Sequence, residues 1–459
     1  MKRRSFGLLA GSSLAALKAG FARAQTAPNA SLLTTTLTPL GAERAGNADG
    51  SIPAWTGGLT TLPAGVQPNQ GVPELFPNEQ PIVVIDSSNM AQHADRLSEG
   101  VMAMMTKYGY QIKVYPTHRT AAAPQYFYDN TRQNLSTAQL NTGGGRLGFS
   151  GAYGGIPFPI PDTSDPLAAG AQIIWNNNTS WNGYAYSVAE QDWAVSNGHP
   201  IMCASLLNHY QNPYFDPNGS LAGFNGKLIV EYDAYTGPAD LVGQALLVWQ
   251  FTNPIEHPQA VWELLNGQGR VRRAPEVSFD TPATQVNGIA GYDEFFGFNG
   301  SLERYDWKYV GKKEMYIPYN NNKLSNGPAL PAHLAHFLDP DLVRWELHRC
   351  WVVEATLHPG ERNVLSRRMF YVDEDTWAIG VGDAWDANNN LFKVNIRFNY
   401  CRPDLPGTVY SVDAVNNLQT GDYCTTGGLW NQQADPMQFV TGFPIAQFDP
   451  TNMAAQAQY

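Results

Sequence analysis

The feature that most constrains the fold is an alternation of apolar and polar residues near the end of the chain. It runs from Leu391 to Tyr400, and it repeats every two residues. Only an extended strand places every second side chain on one side, because a helix repeats every 3.6 residues. The pattern therefore predicts a strand with a buried side and a water-facing side. The buried side holds Phe392, Val394, Ile396, Phe398 and Tyr400, and the wet side holds Leu391, Lys393, Asn395, Arg397 and Asn399.

Strand patterns continue through most of the chain after about residue 180. Residues 344–357 alternate in the same way, with Trp345, Leu347, Trp351 and Val353 on one side. Shorter strand patterns cover 227–234, 244–252, 301–317, 369–377 and 376–385. Such a series predicts a mainly β fold with a few helices, in which a long, curved antiparallel sheet forms an incomplete barrel around one or two amphipathic helices.

Two helices and an N-terminal arm complete the predicted organisation. Apolar residues at helical spacing predict a helix over 89–110, which includes Met104 and Met105. Asp165 followed by Pro166 is typical of a capped helix start. Residues 25–80 are rich in Thr, Gly, Pro and Ala and predict an extended arm, so that 81–459 forms a single β-rich domain.

The first 24 residues have the three parts of an export signal. A charged start at Lys2, Arg3 and Arg4 precedes an apolar run, and a small-x-small site ends at Ala24. The paired arginines fit the twin-arginine route, and an ordinary Sec leader is the alternative. The sequence therefore predicts a periplasmic protein cleaved after Ala24.

Charge and hydropathy limit the partners. The chain has 29 basic and 40 acidic residues, and the leader holds five of the basic ones. This acidic balance argues against nucleic acid, and no second apolar run approaches the ~20 residues of a membrane span. One basic stretch, with Arg270, Arg272 and Arg273, is either a charged strand edge or a contact for an acidic partner.

Four cysteines follow the leader, and their spacing leaves two interpretations open. Cys203, Cys350, Cys401 and Cys424 form disulfides in an oxidising compartment, or they are buried free thiols. Cys401 and Cys424 are nearest in sequence. None of the spacings suggests a zinc or redox site.

The motifs that suggest nucleotide binding or catalysis lack the neighbouring elements that such sites require. Residues 143–148 match the dinucleotide pattern G-x-G-x-x-G, but a preceding strand and a following helix are missing. Asp373, Glu374 and Asp375 place three carboxylates together, and we interpret them as a solvated turn, with a hydrolase site as the alternative. We therefore predict a protein without a cofactor, a metal or catalytic residues.

The apolar strand sides suggest a cavity for a hydrophobic ligand. In this hypothesis the methionines of the first helix form a deformable lid, and a dry core is the alternative. The candidate lining residues are Trp345, Leu347, Trp351, Val353, Phe392, Val394, Ile396, Phe398, Tyr400, Met104 and Met105.

Several longer motifs resemble those of the domain of unknown function (DUF) 1329 family of exported bacterial proteins. They include residues 37–47 and 54–58, Gly155–Pro159, Arg270–Pro275 and Phe370–Asp375, and the resemblance covers nearly the whole chain after the leader. It implies a fold like that of the lipoprotein carriers LolA and LolB, with a curved sheet over an apolar cavity. It also implies an RND-type exporter and an outer-membrane channel-like protein as partners, and it brings no catalytic residues. A twin-arginine leader is not part of this resemblance.

From these observations we expect a periplasmic carrier or chaperone for a lipid, an acyl chain or another apolar molecule. The alternatives are an extracytoplasmic hydrolase that uses Asp373, Glu374 or Asp375, and a scaffold of the cell envelope.

Overall fold

The computed structural model describes residues 29–141, 148–267, 269–274, 279–326, 332–428 and 436–456. The predicted leader lies outside the described residues, as does most of the glycine-rich run at 143–148. Among the described residues, no helix is both long and apolar enough to cross a membrane.

Strands dominate the described chain, as predicted. They are β1 (Val83–Ile85), β2 (Ile112–Val114), β3 (Gln139–Leu140), β4 (Phe149–Ser150), β5 (Ala185–Ser196), β6 (His199–Gln211), β7 (Lys227–Gly237), β8 (Ala245–Phe251), β9 (Ala260–Leu264), β10 (Val271–Arg273), β11 (Tyr305–Pro318), β12 (Trp345–Leu357), β13 (Arg367–Asp373), β14 (Ile379–Trp385), β15 (Leu391–Arg402), β16 (Gly407–Asn417), β17 (Tyr423–Gly427) and β18 (Met437–Val440).

Sixteen of these strands form one sheet that does not close on itself. The order is β1-β2-β12-β13-β14-β15-β16-β17-β5-β6-β7-β8-β9-β10, with β11 also paired to β12 and β18 to β5. Neighbours are antiparallel, except that β2 meets β12 in parallel. The prediction of a large, curved and open antiparallel sheet is therefore confirmed.

Three longer helices pack on this sheet: α1 (Glu99–Tyr108), α2 (Gln125–Thr137) and α3 (Pro166–Asn178). The predicted start of α3 is confirmed, because the Asp165 carboxylate accepts hydrogen bonds from the Leu167 and Ala168 amides. The predicted helix over 89–110 is instead two pieces. A 3₁₀ segment ends at Arg96, and Ser98 adopts an extended backbone and caps α1. The sequence analysis missed α2. Shorter helices are α4 (Asn322–Ser325) and α5 (Met453–Gln456).

The two faces of the sheet are covered by different elements. On one face, called the α1 face, Val352, Tyr371, Val381 and Ile396 lie side by side across β12–β15 and join the cluster that contains Met104. On the opposite face, Val353 and Phe370 lie in the cluster that contains α3. Residues 279–301 also lie over this opposite face. We call these residues the covering segment, and the face that they cover the inner face.

The covering segment explains why one sequence prediction was wrong. The polar side of β15 is not water-facing: Lys393, Asn395 and Arg397 are each less than 9 % exposed. Lys393 Nζ donates to Glu294 Oε2 at 2.6 Å and Arg397 Nη1 donates to the Phe296 carbonyl at 3.3 Å. A distant segment thus supplies the partners that water was expected to supply.

Residues 29–80 pack along the body with little regular structure. They begin with a 3₁₀ turn over Ala30–Thr34, and Leu33, Leu40 and Ile52 are buried. The four cysteines are free thiols, which is the second of the two interpretations, and no disulfide joins any of them. Cys350, Cys401 and Cys424 are buried, and Cys203 is half-buried.

Candidate ligand-binding cavity

A cavity of about 220 Å³ lies between the inner face of β7–β9 and the covering segment, and it is partly open to solvent. The register of the strands sets its floor. Asp233, Leu246 and Glu263 stand side by side across the three strands, and Glu231, Val248 and Val261 form the next row. All six line the cavity. Because successive side chains of a strand point to opposite faces, every second side chain of β7, β8 and β9 points into this space.

Aromatic rings supply much of the remaining wall. They come from three separate parts of the chain: α3, the end of β8 and the covering segment. The rings are Trp175, Phe251, Phe279, Tyr292, Phe295 and Phe296. The covering segment is tied to the sheet, since the Phe296 amide donates to Asp413 Oδ2 at 2.6 Å and Arg368 Nη2 donates to Asp293 Oδ2 at 2.5 Å. The roof is thus held in place over the floor.

Carboxyl groups concentrate on one side of the cavity. Glu231 and Asp233 line it and share a hydrogen bond between their carboxyl groups. Asp233 is 7 % exposed, and its Oδ1 atom accepts no hydrogen bond from any other donor of the described residues. On the same inner face, two strands away, Glu190 and Asp192 are also buried, and Asn208 Nδ2 donates to Glu190 Oε2 at 3.0 Å.

Burial raises the pKa of all four carboxyl groups, since a charged form is poorly solvated there. Mutual repulsion adds to this for Asp233, whose pKa is raised further by Glu231 and Glu190. A hydrogen bond with Tyr210 opposes the rise in the pKa of Glu231. The protonated form of these four groups is therefore favoured unless a positive charge lies nearby.

The predicted basic patch lies at the edge of the sheet beside this cavity. Arg272 and Arg273 belong to β10, the terminal strand, and Arg270 precedes it; all three are exposed. Arg272 Nε contacts Glu263 Oε1 at 2.6 Å, and Arg273 lies over the ring of Trp262. This placement agrees with the interpretation as a charged strand edge, and the partner contact stays a prediction.

The structure does not bring the eleven predicted lining residues together. None of them lines the cavity described above. Phe392 is half-buried, and Tyr400 lies in a third cluster with Tyr186 and Tyr210. Trp351 and Val353 lie in the α3 cluster. The other seven lie in the α1 cluster: Met104, Met105, Trp345, Leu347, Val394, Ile396 and Phe398. As ligand contacts they stay a prediction.

The three-carboxylate motif is buried, so the interpretation as a solvated turn was wrong. Asp373, Glu374 and Asp375 are 1 %, 1 % and 4 % exposed. Arg119 donates to both oxygens of Asp375, at 2.7 and 2.8 Å, and Lys312 Nζ donates to Glu374 Oε2 at 2.8 Å. These pairs join three distant parts of the chain and favour a structural role for the acids.

The same network contains one group of possible metal ligands. His348, Asp373 and Asp375 each place a ligand atom within 4.8 Å of the others. Burial lowers the pKa of His348, but its hydrogen bond to Glu346 and the nearby aspartates outweigh this and raise it. Arg119 already engages both Asp375 oxygens, so a cation would compete with that pair.

Sequence reasoning missed the acidic wall of the cavity. A signal was present, since Glu231 and Asp233 alternate within an otherwise apolar and aromatic stretch, and Glu190 and Asp192 do so on β5. Acids at that spacing point to the same face of a strand. Their significance depends on what covers the face, which the stretch itself does not show.

Comparison with known proteins identifies the family of this chain. A family model described as "Protein of unknown function (DUF1329)" matches residues 84–454. An uncharacterized Pseudomonas aeruginosa protein, PA3922, is 37% identical over 426 residues, which cover 91% of this chain and 90% of that protein.

Solved structures show weaker similarity. A DUF1329 family protein from Desulfovibrio piger is 15% identical with a TM-score of 0.43, over 63% of this chain and 99% of that one. The LolA superfamily protein NE2245 from Nitrosomonas europaea is 10% identical with a TM-score of 0.35, over 60% of this chain and 96% of that one. On the family match and the identity to the Pseudomonas protein, the chain belongs to the DUF1329 family.

Proposed function

We propose that the protein is a periplasmic carrier that binds a small amphipathic molecule between β7–β9 and the covering segment. The observation that carries the proposal is the cavity itself. Ligand sites in proteins are concave, mainly apolar and provided with a few polar groups, and this cavity combines Leu246, Val248 and Val261 with aromatic rings and carboxyl groups.

The size of the cavity narrows the ligand class. Its volume of about 220 Å³ exceeds the ~150 Å³ of an engineered cavity that holds benzene. It is smaller than the ~300–1,000 Å³ of sites for drug-sized molecules. A single-ring compound or a short chain fits this space, and a whole phospholipid does not.

Filling the cavity provides the test. Val248 is half-buried and faces the cavity, so Val248→Trp places a large side chain in the ligand space. Val310→Trp is the matched control, because Val310 is 52 % exposed and lies on β11, outside the cavity lining. A single-ring fluorescent probe is titrated into each protein, and circular dichroism checks that each is folded.

We expect saturable binding by the wild type and by Val310→Trp, and at least about tenfold weaker binding by Val248→Trp, which corresponds to about 1.4 kcal/mol. The proposal is wrong if the wild type shows no saturable binding. It is also wrong if Val248→Trp binds as tightly as the control.

A carrier of this kind must exchange its ligand with other envelope components. The partners implied by the family resemblance are an RND-type exporter and an outer-membrane protein. The exposed Arg270, Arg272 and Arg273 beside the cavity are the candidate contact. Co-purification from membranes tests this step: reversing the charges of Arg270 and Arg273 must abolish it, and equal recovery with the wild type excludes the basic edge as the contact.

A further inference from the structure

The carboxyl groups at the cavity wall lack the cations that accompany two buried acids of the covering segment. Asp293 pairs with Arg368 and Glu294 with Lys393, at 2.5 and 2.6 Å. In contrast, the described part of the chain places no Lys, Arg or His in an ion pair with Glu231 or Asp233, which line the cavity, or with Glu190 and Asp192 on the same face beside it. Within each pair the two carboxyl groups share a hydrogen bond, and Asn208 and Tyr210 contact Glu190 and Glu231.

The charged groups around this wall are already paired with other residues. Arg397 faces Asp413 at 3.9 Å, and Arg272 at the edge of the sheet contacts Glu263. Tyr235 and Tyr292 also lie close to Asp233, but a phenol carries no positive charge. Since an unpaired buried charge costs several kcal/mol, the wall is complete only when protons or a cation occupy it.

The opposite wall has the complementary chemistry for an organic cation. The rings of Trp175, Tyr292 and Phe296 line the cavity, and the face of an aromatic ring attracts ammonium groups most strongly where water is excluded. A ligand with an apolar part next to an ammonium nitrogen thus contacts aromatic rings and carboxylates in the same cavity. Asp233 Oδ1 is buried and accepts no hydrogen bond from a Lys, Arg, amide or hydroxyl donor of the described residues; the neighbouring group is the Glu231 carboxyl, so an ammonium nitrogen would supply the donor that both acids lack.

We propose that the ligand is an organic ammonium ion, a hydrophobic amine whose nitrogen donates hydrogen bonds to Glu231 and Asp233 and whose apolar part lies against the aromatic roof. This inference rests on the proposed function of the cavity and adds the charge of the ligand to it.

Binding has a defined proton balance in this mechanism. Burial and mutual repulsion raise the pKa of these carboxyl groups and so favour their protonated form without the ligand; when the ammonium ion enters, protons leave to the solvent and the carboxylates accept its N–H groups. Affinity therefore rises with pH for as long as the amine stays charged, as lysine does with its pKa of ~10.4. The paired groups Arg397–Asp413 and Arg272–Glu263 are not required to change charge.

The test compares three ligands of nearly equal shape and different charge: phenethylamine, phenylethyl alcohol and phenylacetate. Isothermal titration measures each at about pH 8 and about pH 5, in two buffers of different ionisation enthalpy so that proton release is counted. At the higher pH we expect the amine to bind at least about tenfold more tightly than the alcohol, since hydrogen bonds to charged groups are stronger than those between neutral groups. We expect phenylacetate to bind most weakly.

Variants identify the residues responsible. Asp233→Asn and the less buried Glu231→Gln each reduce the preference for the amine over the alcohol, and Glu231→Gln keeps the test valid if Asp233→Asn fails to fold. Glu303→Gln is the matched control, because Glu303 lines the cavity but is exposed, so water screens its charge. It must retain the preference.

The outcomes separate this inference from the proposed function. If the alcohol and the amine bind equally, without proton release, the cavity binds ligands but the inference is wrong. If none of the three binds and the fluorescent probe also fails, the proposed function is wrong. Because a whole phospholipid does not fit the cavity, a short-chain phosphatidylethanolamine tests whether its headgroup amine alone enters: binding by phenethylamine and not by the lipid supports a free hydrophobic amine, and equally tight binding by the lipid overturns the requirement for an apolar part against the aromatic roof.

Discussion

Replacing Arg119 by Met will lower the free energy of unfolding by about 3–5 kcal/mol, the range for removing one partner of a buried ion pair. Arg119 is 7 % exposed and lies between the sheet and the N-terminal arm. Its guanidinium donates to both oxygens of Asp375 and to the backbone carbonyls of Glu43, Arg44 and Pro53. Methionine retains much of the apolar volume and removes all five donors.

The magnitude comes mainly from the carboxylate that is left behind. Asp375 is 4 % exposed and lies beside Asp373 and Glu374, so its charge loses its two-point partner and is repelled by these acids, while the His348 ring nitrogen stays at 3.9 Å. Three carbonyls of the arm lose a donor in addition, and each such hydrogen bond contributes ~1 kcal/mol. Partial protonation of the acids and relaxation of the arm offset part of this loss of stability, so the net change in the free energy of unfolding stays within the stated range.

Urea denaturation followed by circular dichroism measures the change. Lys113→Met is the control, because the Lys113–Asp341 pair has a similar distance of 2.6 Å but an aspartate side chain that is 66% exposed; exposed pairs contribute ~0.2–1 kcal/mol. Limited proteolysis should also cut the arm faster in Arg119→Met. If both variants lose the same small amount of stability, the buried pair does not hold the arm and the reasoning fails.

Three further predictions concern the core. The Asp383 carboxyl accepts a hydrogen bond from the Ser98 hydroxyl at the start of α1, and burial raises its pKa to about 7. Because the folded state holds this proton more tightly than the unfolded state, the free energy of unfolding falls as pH rises from ~4 to ~7, by up to about 4 kcal/mol. Denaturation of Asp383→Asn across this range should show a flatter profile, and an unchanged profile would exclude Asp383 as the source. Gly155→Ala should destabilise by more than ~2 kcal/mol, since its Cβ would lie 2.4 Å from the Thr131 amide nitrogen, whereas Gly223→Ala meets only a side-chain atom at 3.7 Å; equal melting temperatures would contradict this. A thiol reagent should find four thiols after unfolding without reductant, and two or none would reveal disulfides.

Local patterns predicted the strands well because period-two alternation is a property of a few adjacent residues. Residues 391–400 and 344–357 are strands β15 and β12, and Asp165 caps α3 as expected. The same reasoning overextended one helix through Ser98, where the capping side chain restarts the helix. It missed α2, whose buried residues Phe127, Thr131 and Asn134 have helical spacing among mostly polar neighbours.

The sequence by itself determined that the chain is rich in strands, that their apolar sides are buried and, through motif resemblance, to which family it belongs. Only the tertiary structure decided what covers each side. The polar side of β15 is buried because a segment about 100 residues earlier supplies its hydrogen-bond partners. The candidate cavity lies over Glu231 and Asp233, and not over the predicted apolar stripe, because strand order and the covering segment bring distant residues together. Alternation shows which side chains share a face, but the partners of that face depend on contacts between residues far apart in sequence.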